Sequence, residues 1–175
     1  MFKGKLNYVL PYFLRSVVKW EGIKLHFEAH PEWSRRKDLV NKAILLSRKI
    51  KVPIMLHSGG EHSNASVFEE YIKDNSDVHF VLAHGSPPSE AMFLLNKYAN
   101  VMIDTASMTN EIIYEFVKSG YSCRMLFGTD TALCSHEEGI DNQIEYVKSK
   151  IKYISSISSD CEFMSIMNRC PYVKG

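Results

Sequence analysis

Three apolar runs in this chain end on a side chain able to hold a metal or move a proton: Val-Pro-Ile-Met-Leu-His57, His-Phe-Val-Leu-Ala-His84 and Arg-Met-Leu-Phe-Gly-Thr-Asp130. A short apolar run bounded by turn formers reads as a buried strand of a parallel sheet. In such sheets the C-terminal strand ends share one rim, where ligands and catalytic groups collect. Taken singly, His57 is as well read as a hydrogen-bonded histidine at a strand end. The repetition changes that reading: His84 and Asp130 occupy equivalent positions, with a glycine directly after His84 and another two residues before Asp130. Two imidazoles and a carboxylate form the donor set of a catalytic zinc or related divalent site. A cation held there lowers the pKa of its water from ~15.7 to roughly 7.

Other residues with chemistry are less sharply placed. Lys24 and His26 stand two apart in Gly-Ile-Lys-Leu-His26-Phe and share one strand face. His26 either lines the pocket or is a satisfied structural histidine. His62 lies in the Gly-rich loop after His57, within reach of a substrate, and Asp104 ends a fourth run as a cap or a supporting partner. His30, His79 and His136 read as structural or solvent-facing. Lys24 also admits a metal-free alternative, a lyase working through a Schiff base.

The elements that must position these residues follow from apolar spacing. After the first strand, Ser34 can cap a helix carrying Leu39, Val40, Ala43, Ile44 and Leu46 on one stripe. Strand two, 52–57, precedes a helix burying Val67, Phe68, Tyr71 and Ile72, with Ser66 and Glu69 at capping-box spacing. Strand three, 78–84, leads to a helix opened by Pro87 or Pro88 that buries Met92, Leu94, Leu95 and Tyr98. Strand four ends at Asp104. Thr109 caps the next helix, with Ile112, Ile113, Phe116 and Val117 inward and Gly120 as its stop. Strand five, 124–128, is followed by a helix with Ile140, Ile144, Val147, Ile151 and Ile154, then a short one from Asp160. One crossover helix between successive strands makes the class α/β with a parallel sheet of about five strands. Pattern alone leaves the sheet either open or part of a barrel.

Composition narrows the partners. With 21 basic and 20 acidic residues the net charge is +1, which offers no electrostatic case for nucleic acid or an anionic membrane. Arg35-Arg36-Lys37 reads as a solvated helix face. No apolar stretch approaches the roughly 20 residues needed to span a bilayer, and the N-terminus lacks a signal-peptide core, so a cytoplasmic location is expected. Cys123, Cys134, Cys161 and Cys170 form no Cys-x-x-Cys pair and read as reduced, structural thiols. No linker or low-complexity segment divides residues 1–175, which read as a single domain.

Five segments in order carry a resemblance: Gly-Ile-Lys-Leu-His26-Phe-Glu, Pro-Ile-Met-Leu-His57-Ser-Gly, Leu-Ala-His84-Gly, Val-Met-Ile-Asp104-Thr-Ala and Leu-Phe-Gly-Thr-Asp130-Thr. From about residue 20 to 135 the chain resembles the amidohydrolase superfamily. It is most similar to the amidohydrolase-related branch that includes decarboxylases of the aminocarboxymuconate-semialdehyde type. The resemblance implies a metal-dependent TIM-type (β/α)8 barrel, of which these segments correspond to strands four through eight. It further implies that His57 and Asp130 are metal ligands. His84 would be a further ligand or the catalytic, water-activating base. Lys24 falls where some members place a bridging modified lysine, although in this branch the position more often orients substrate. The implied activity is hydrolysis of a small organic amide, ester or acid, or a decarboxylation, with a divalent metal, zinc first among them.

The family's first strand carries a His-x-His ligand pair, and no His-x-His occurs in this sequence. The chain is therefore expected to lack the first three strand-helix units, since a full barrel takes ~250 residues. Five strands leave two unpaired edges. The sequence is thus expected to be the C-terminal part of a longer enzyme. Alternatively it is completed by a second chain or a homo-oligomer, or is an open-sheet remnant acting through association.

Overall fold

The computed structural model describes residues 21–34, 36–130 and 140–168. His136, Cys134 and Cys170 lie outside these residues. Five strands form one wholly parallel sheet: β1 (Ile23–Leu25), β2 (Ile54–His57), β3 (Phe80–Ala83), β4 (Val101–Asp104) and β5 (Met125–Leu126). Their order in space is their order in the chain. A doubly wound sheet reverses direction at a switch point, and this one does not. Right-handed crossovers in an unreversed sheet place every connecting helix on the same side, as in an arc of a TIM-type barrel.

The register shows which side that is. Ile54, Phe80 and Val101 lie in one row, and Leu56, Leu82, Ile103 and Met125 in the next. All are buried in a single core, shared with Ile44, Phe68, Ile72, Leu94, Leu95, Ile113 and Phe116 from the helices. Burying each such side chain contributes roughly 1.5–3 kcal/mol. The alternate residues face the opposite, inner side: Lys24, Met55, Val81 and Met102 in one row, then His57, Ala83 and, on β4 and β5, Asp104 and Leu126.

The helices are α1 (Pro31–Ser34), α2 (Lys37–Ile50), α3 (Glu69–Asp74), α4 (Pro88–Lys97), α5 (Asn110–Lys118), α6 (Ile140–Ile157) and α7 (Asp160–Asn168), with 3-10 turns at Ala65–Phe68 and Ser122–Arg124. Pro88 opens α4, Thr109 accepts the Ile112 N–H to cap α5, and Gly120 takes the left-handed φ of +81° that ends it. Four expectations fail locally. Ser34 belongs to α1, so the residue preceding α2 is Arg36, which makes no side-chain cap bond. The Ser66–Glu69 capping box does not form, because Glu69 accepts from Lys97 and Tyr98 instead. Leu46 and Val67 are exposed, and Ser47 takes the inward place on α2 by donating to the Val52 carbonyl. On α6 Ile154 is buried and Val147 and Ile151 are half-buried as expected, but Ile144 is exposed and Lys150 is buried beside them. No helix among the described residues is long and apolar enough to cross a membrane.

Candidate active site

Four side chains meet at the C-terminal ends of the strands. Backbone alternation brings His26, just beyond β1, and His57, the last residue of β2, to the inner face. Their rings stack with centroids 3.8 Å apart and planes 12° from parallel. His84, following β3, meets His57 edge-on at 4.7 Å, with His84 Nε2 3.1 Å from His57 Nδ1. Asp130, beyond β5, places Oδ2 3.9 Å from His84 Nε2. Three segments far apart in the sequence thus bring His57, His84 and Asp130 to one point on the rim.

Asp104 is 6 % exposed and orients His84 through the backbone. Its Oδ1 accepts from the N–H of His84 at 2.8 Å and of Ala106 at 3.2 Å. Burial pushes its carboxyl above the usual carboxylate range, opposed by those two N–H groups and by His84. His84 Nδ1 stands 3.0 Å from the Ala106 carbonyl. A carbonyl oxygen only accepts, so a neutral His84 carries its proton on Nδ1 and keeps a lone pair on Nε2. His57 then donates from Nδ1 across the 3.1 Å contact. Burial, followed by the charges of His26, His84 and Lys24, lowers the His57 pKa to about 4. His26 is lowered too, chiefly by burial and by Lys24. Both rings are therefore neutral near pH 7, the form in which imidazole ligates metal.

His84, Ser107 and Asp130 are non-glycine residues with φ of +70°, +55° and +56°. This left-handed region is tolerated by His and Asp better than by most residues, yet it costs of order 1–3 kcal/mol at each position. Such strain persists only where surrounding bonds over-determine it, and here it clusters on one rim.

Loops complete the setting. Glu28, beyond β1, accepts from the His62 N–H at 2.6 Å and from Ser63 Oγ at 2.9 Å, which holds the loop after His57. Gly60, at φ +100°, lies so close that a Cβ would come within 2.5 Å of Glu28 Cδ. The hydrogen bond of His62 runs through its backbone rather than its ring. Lys24 points from the inner face toward Met55 Sδ at 3.6 Å and is exposed. It influences His26 and His57 by charge and touches neither. A cavity of about 450 Å³ on the inner face, lined by Lys24, Met55, Val81, Leu126 and Met167, sits toward the opposite strand ends, beside Glu21 and Pro53. It is separate from the histidines.

A divalent cation fits this set in chemistry. His57 Nδ1 and Asp130 Oδ2 lie 3.1 Å and 3.9 Å from the same atom, His84 Nε2, so a nitrogen and an oxygen of the kinds zinc accepts flank one point. Asp130 supplies the hard oxygen. Among the described residues, however, no three His, Cys, Asp or Glu side chains group closely enough to hold a cation by themselves.

Glu28 and Lys150 were not singled out from the sequence. A lysine spaced three and four residues from Val147 and Ile154 on an apolar stripe was the available signal for Lys150. For Glu28 the signal was its place at the end of Gly-Ile-Lys-Leu-His26-Phe-Glu.

No curated protein matches the chain. A family model described as Amidohydrolase matches residues 15–151, spanning all five strands and the rim just described. By that match and by the parallel, unreversed sheet that carries these histidines, the chain belongs to the amidohydrolase family.

Proposed function

We propose that this chain forms the catalytic rim of a metal-dependent hydrolase acting on a small organic amide, ester or acid. The observation that carries the reading is the convergence of His57, His84 and Asp130 from three separate strand ends, with both imidazoles in reach of one point. His57 Nδ1, with its proton moved to Nε2, and Asp130 would hold the cation, and zinc suits the mixed nitrogen and oxygen donors. When bound, the cation supplies Lewis acidity and acidifies water.

The remaining chemistry belongs to the chain itself. His84 keeps Nε2 as an acceptor because its Nδ1 proton is engaged by Ala106, so Nε2 can take a proton from the nucleophile and return it to a leaving group. Asp130 Oδ2 lies 3.9 Å from the same Nε2. The same proton-carrying geometry serves decarboxylation, where His84 would deliver the proton to a carbanion. Hydrolysis is preferred because the acceptor on Nε2 faces His57 and Asp130, the groups that would hold the cation, rather than an apolar pocket. His26 covers one face of His57, and Lys24 and His62 border the approach to the rim as groups that would meet substrate.

Metal content of the purified chain after zinc loading and desalting tests the reading. Wild type should retain zinc, and His57→Ala and Asp130→Ala should each lose at least tenfold in affinity. Equal and negligible retention by all three would remove the metal-dependent reading.

Association is a second reading, favoured by one observation: among the described residues β1 pairs only with β2, and β5 only with β4. Unpaired edges recruit partner strands. Sedimentation should show self-association or uptake of a complementing chain. A monomer at high concentration that binds no such chain would dismiss it.

A further inference from the structure

Lys150 is 3 % exposed, the one buried cationic side chain among the described residues. Its Nζ donates to the carbonyls of Thr105 at 2.9 Å and Met108 at 3.0 Å, and lies 5.1 Å from the centre of the Tyr146 ring. Burying an ammonium is costly unless its donors are satisfied. Here they are spent on the two ends of one short segment, Thr105–Met108, which joins β4 to α5.

What orients the rim hangs on that segment. The Ala106 carbonyl accepts from His84 Nδ1, and the Ala106 N–H donates to Asp104, which also holds the His84 N–H. Thr105 Oγ1 donates to the Gly128 carbonyl at 2.9 Å and accepts from the Gly128 N–H at 3.0 Å, two residues before Asp130. Ser107, in its left-handed conformation, donates to Asp130 Oδ2 at 3.4 Å. One segment therefore touches both His84 and the Asp130 strand end, and a buried cation grips it at both ends. An apolar residue in place of Lys150 would take this donor from the Met108 carbonyl and leave the Thr105 carbonyl with the Met108 N–H at 3.2 Å, so the grip that ties the two ends of the segment to α6 would be lost.

We propose that Lys150 is a positioning residue: by gripping Thr105 and Met108 it fixes the Ala106 carbonyl, and through it holds His84 in the Nδ1–H tautomer with Nε2 directed at His57. Its value for chemistry rests on the rim being the active site, but the tautomer it sets can be read without metal or substrate.

Nitrogen NMR of histidine-labelled protein at about pH 8, above the ordinary histidine range, tests this. Wild type should show His84 protonated at Nδ1. Lys150→Met should lose that preference, drawing the shifts of the two ring nitrogens together, and Lys150→Arg should restore it in part. A folded Lys150→Met protein with the wild-type His84 pattern would overturn the proposal. Should Lys150→Met not fold, wild type alone decides. A slowly exchanging Lys150 ammonium with couplings across its hydrogen bonds to the Thr105 and Met108 carbonyls, beside an Nδ1–H His84, supports it. Absence of either signal overturns it. Zinc retention is measured separately, so a chain that holds no metal could still pass this test, and one that holds metal could fail it.

Discussion

His84 is held from three directions: its N–H by Asp104, its Nδ1 by Ala106 and its Nε2 against His57. Removing the first support has a definite cost. Asp104→Ala leaves two buried N–H groups without their acceptor, so chemical denaturation should show a loss of about 1–3 kcal/mol. Asp104→Asn keeps an oxygen in place and should lose clearly less. His57 makes stability depend on pH. Its folded-state pKa is lowered to about 4 from 6.5, so the unfolded chain takes up a proton first. The stability contributed by neutral His57 is complete above pH 6.5 and is lost as pH falls through about 4. His26 acts in the same direction, whereas Asp104, raised by burial, gains stability on acidification. Urea titrations of metal-free protein between about pH 7 and pH 4 should show declining stability, with a shallower decline in His57→Gln. His57, His84 and Asp130 were legible in the sequence because a polar residue ending an apolar run is conspicuous. The left-handed turns at His84 and Asp130 and the proton between His57 and His84 were not, since those depend on atoms from other strands.

At the scale of elements, strand and helix order follows apolar period closely, and errors concentrate at helix ends. Ser34 and the Ser66–Glu69 pair have the right types at the right spacing, but a preceding short helix and a lysine from α4 claim their places. Thr109 had no such competitor and caps α5 as its spacing suggests. Thr109→Ala should cost about 1 kcal/mol in thermal or denaturant unfolding. The loop after β2 is held more specifically. Gly60→Ala requires an unfavourable φ of +100° and drives a methyl into Glu28, which would then release the His62 N–H and Ser63. Hydrogen exchange should show faster opening of residues 58–63 in that variant, with β3 and β4 protected as before. The exposed Ile144 and buried Lys150 of α6 have a comparable origin. Periodicity finds a face only to within a residue, and a lysine that spends its donors on carbonyls can occupy an inward position that hydropathy assigns to isoleucine.

For the molecule as a whole, apolar runs alternating with helices established a parallel α/β class, while strand order remained open because each crossover looks alike in sequence whichever way the sheet grows. The unreversed order β1 to β5 resolves it as an arc of a TIM-type barrel. That order has a consequence for how the chain comes to be folded. Every strand docks beside the one made just before it, so assembly can proceed vectorially, each unit closing over a short stretch of chain. A nascent chain could complete β1 through β4 and bury most of its core while Asp130 is still unmade. The rim would acquire its carboxylate last, after the scaffold that must bear the strain of holding it has already set.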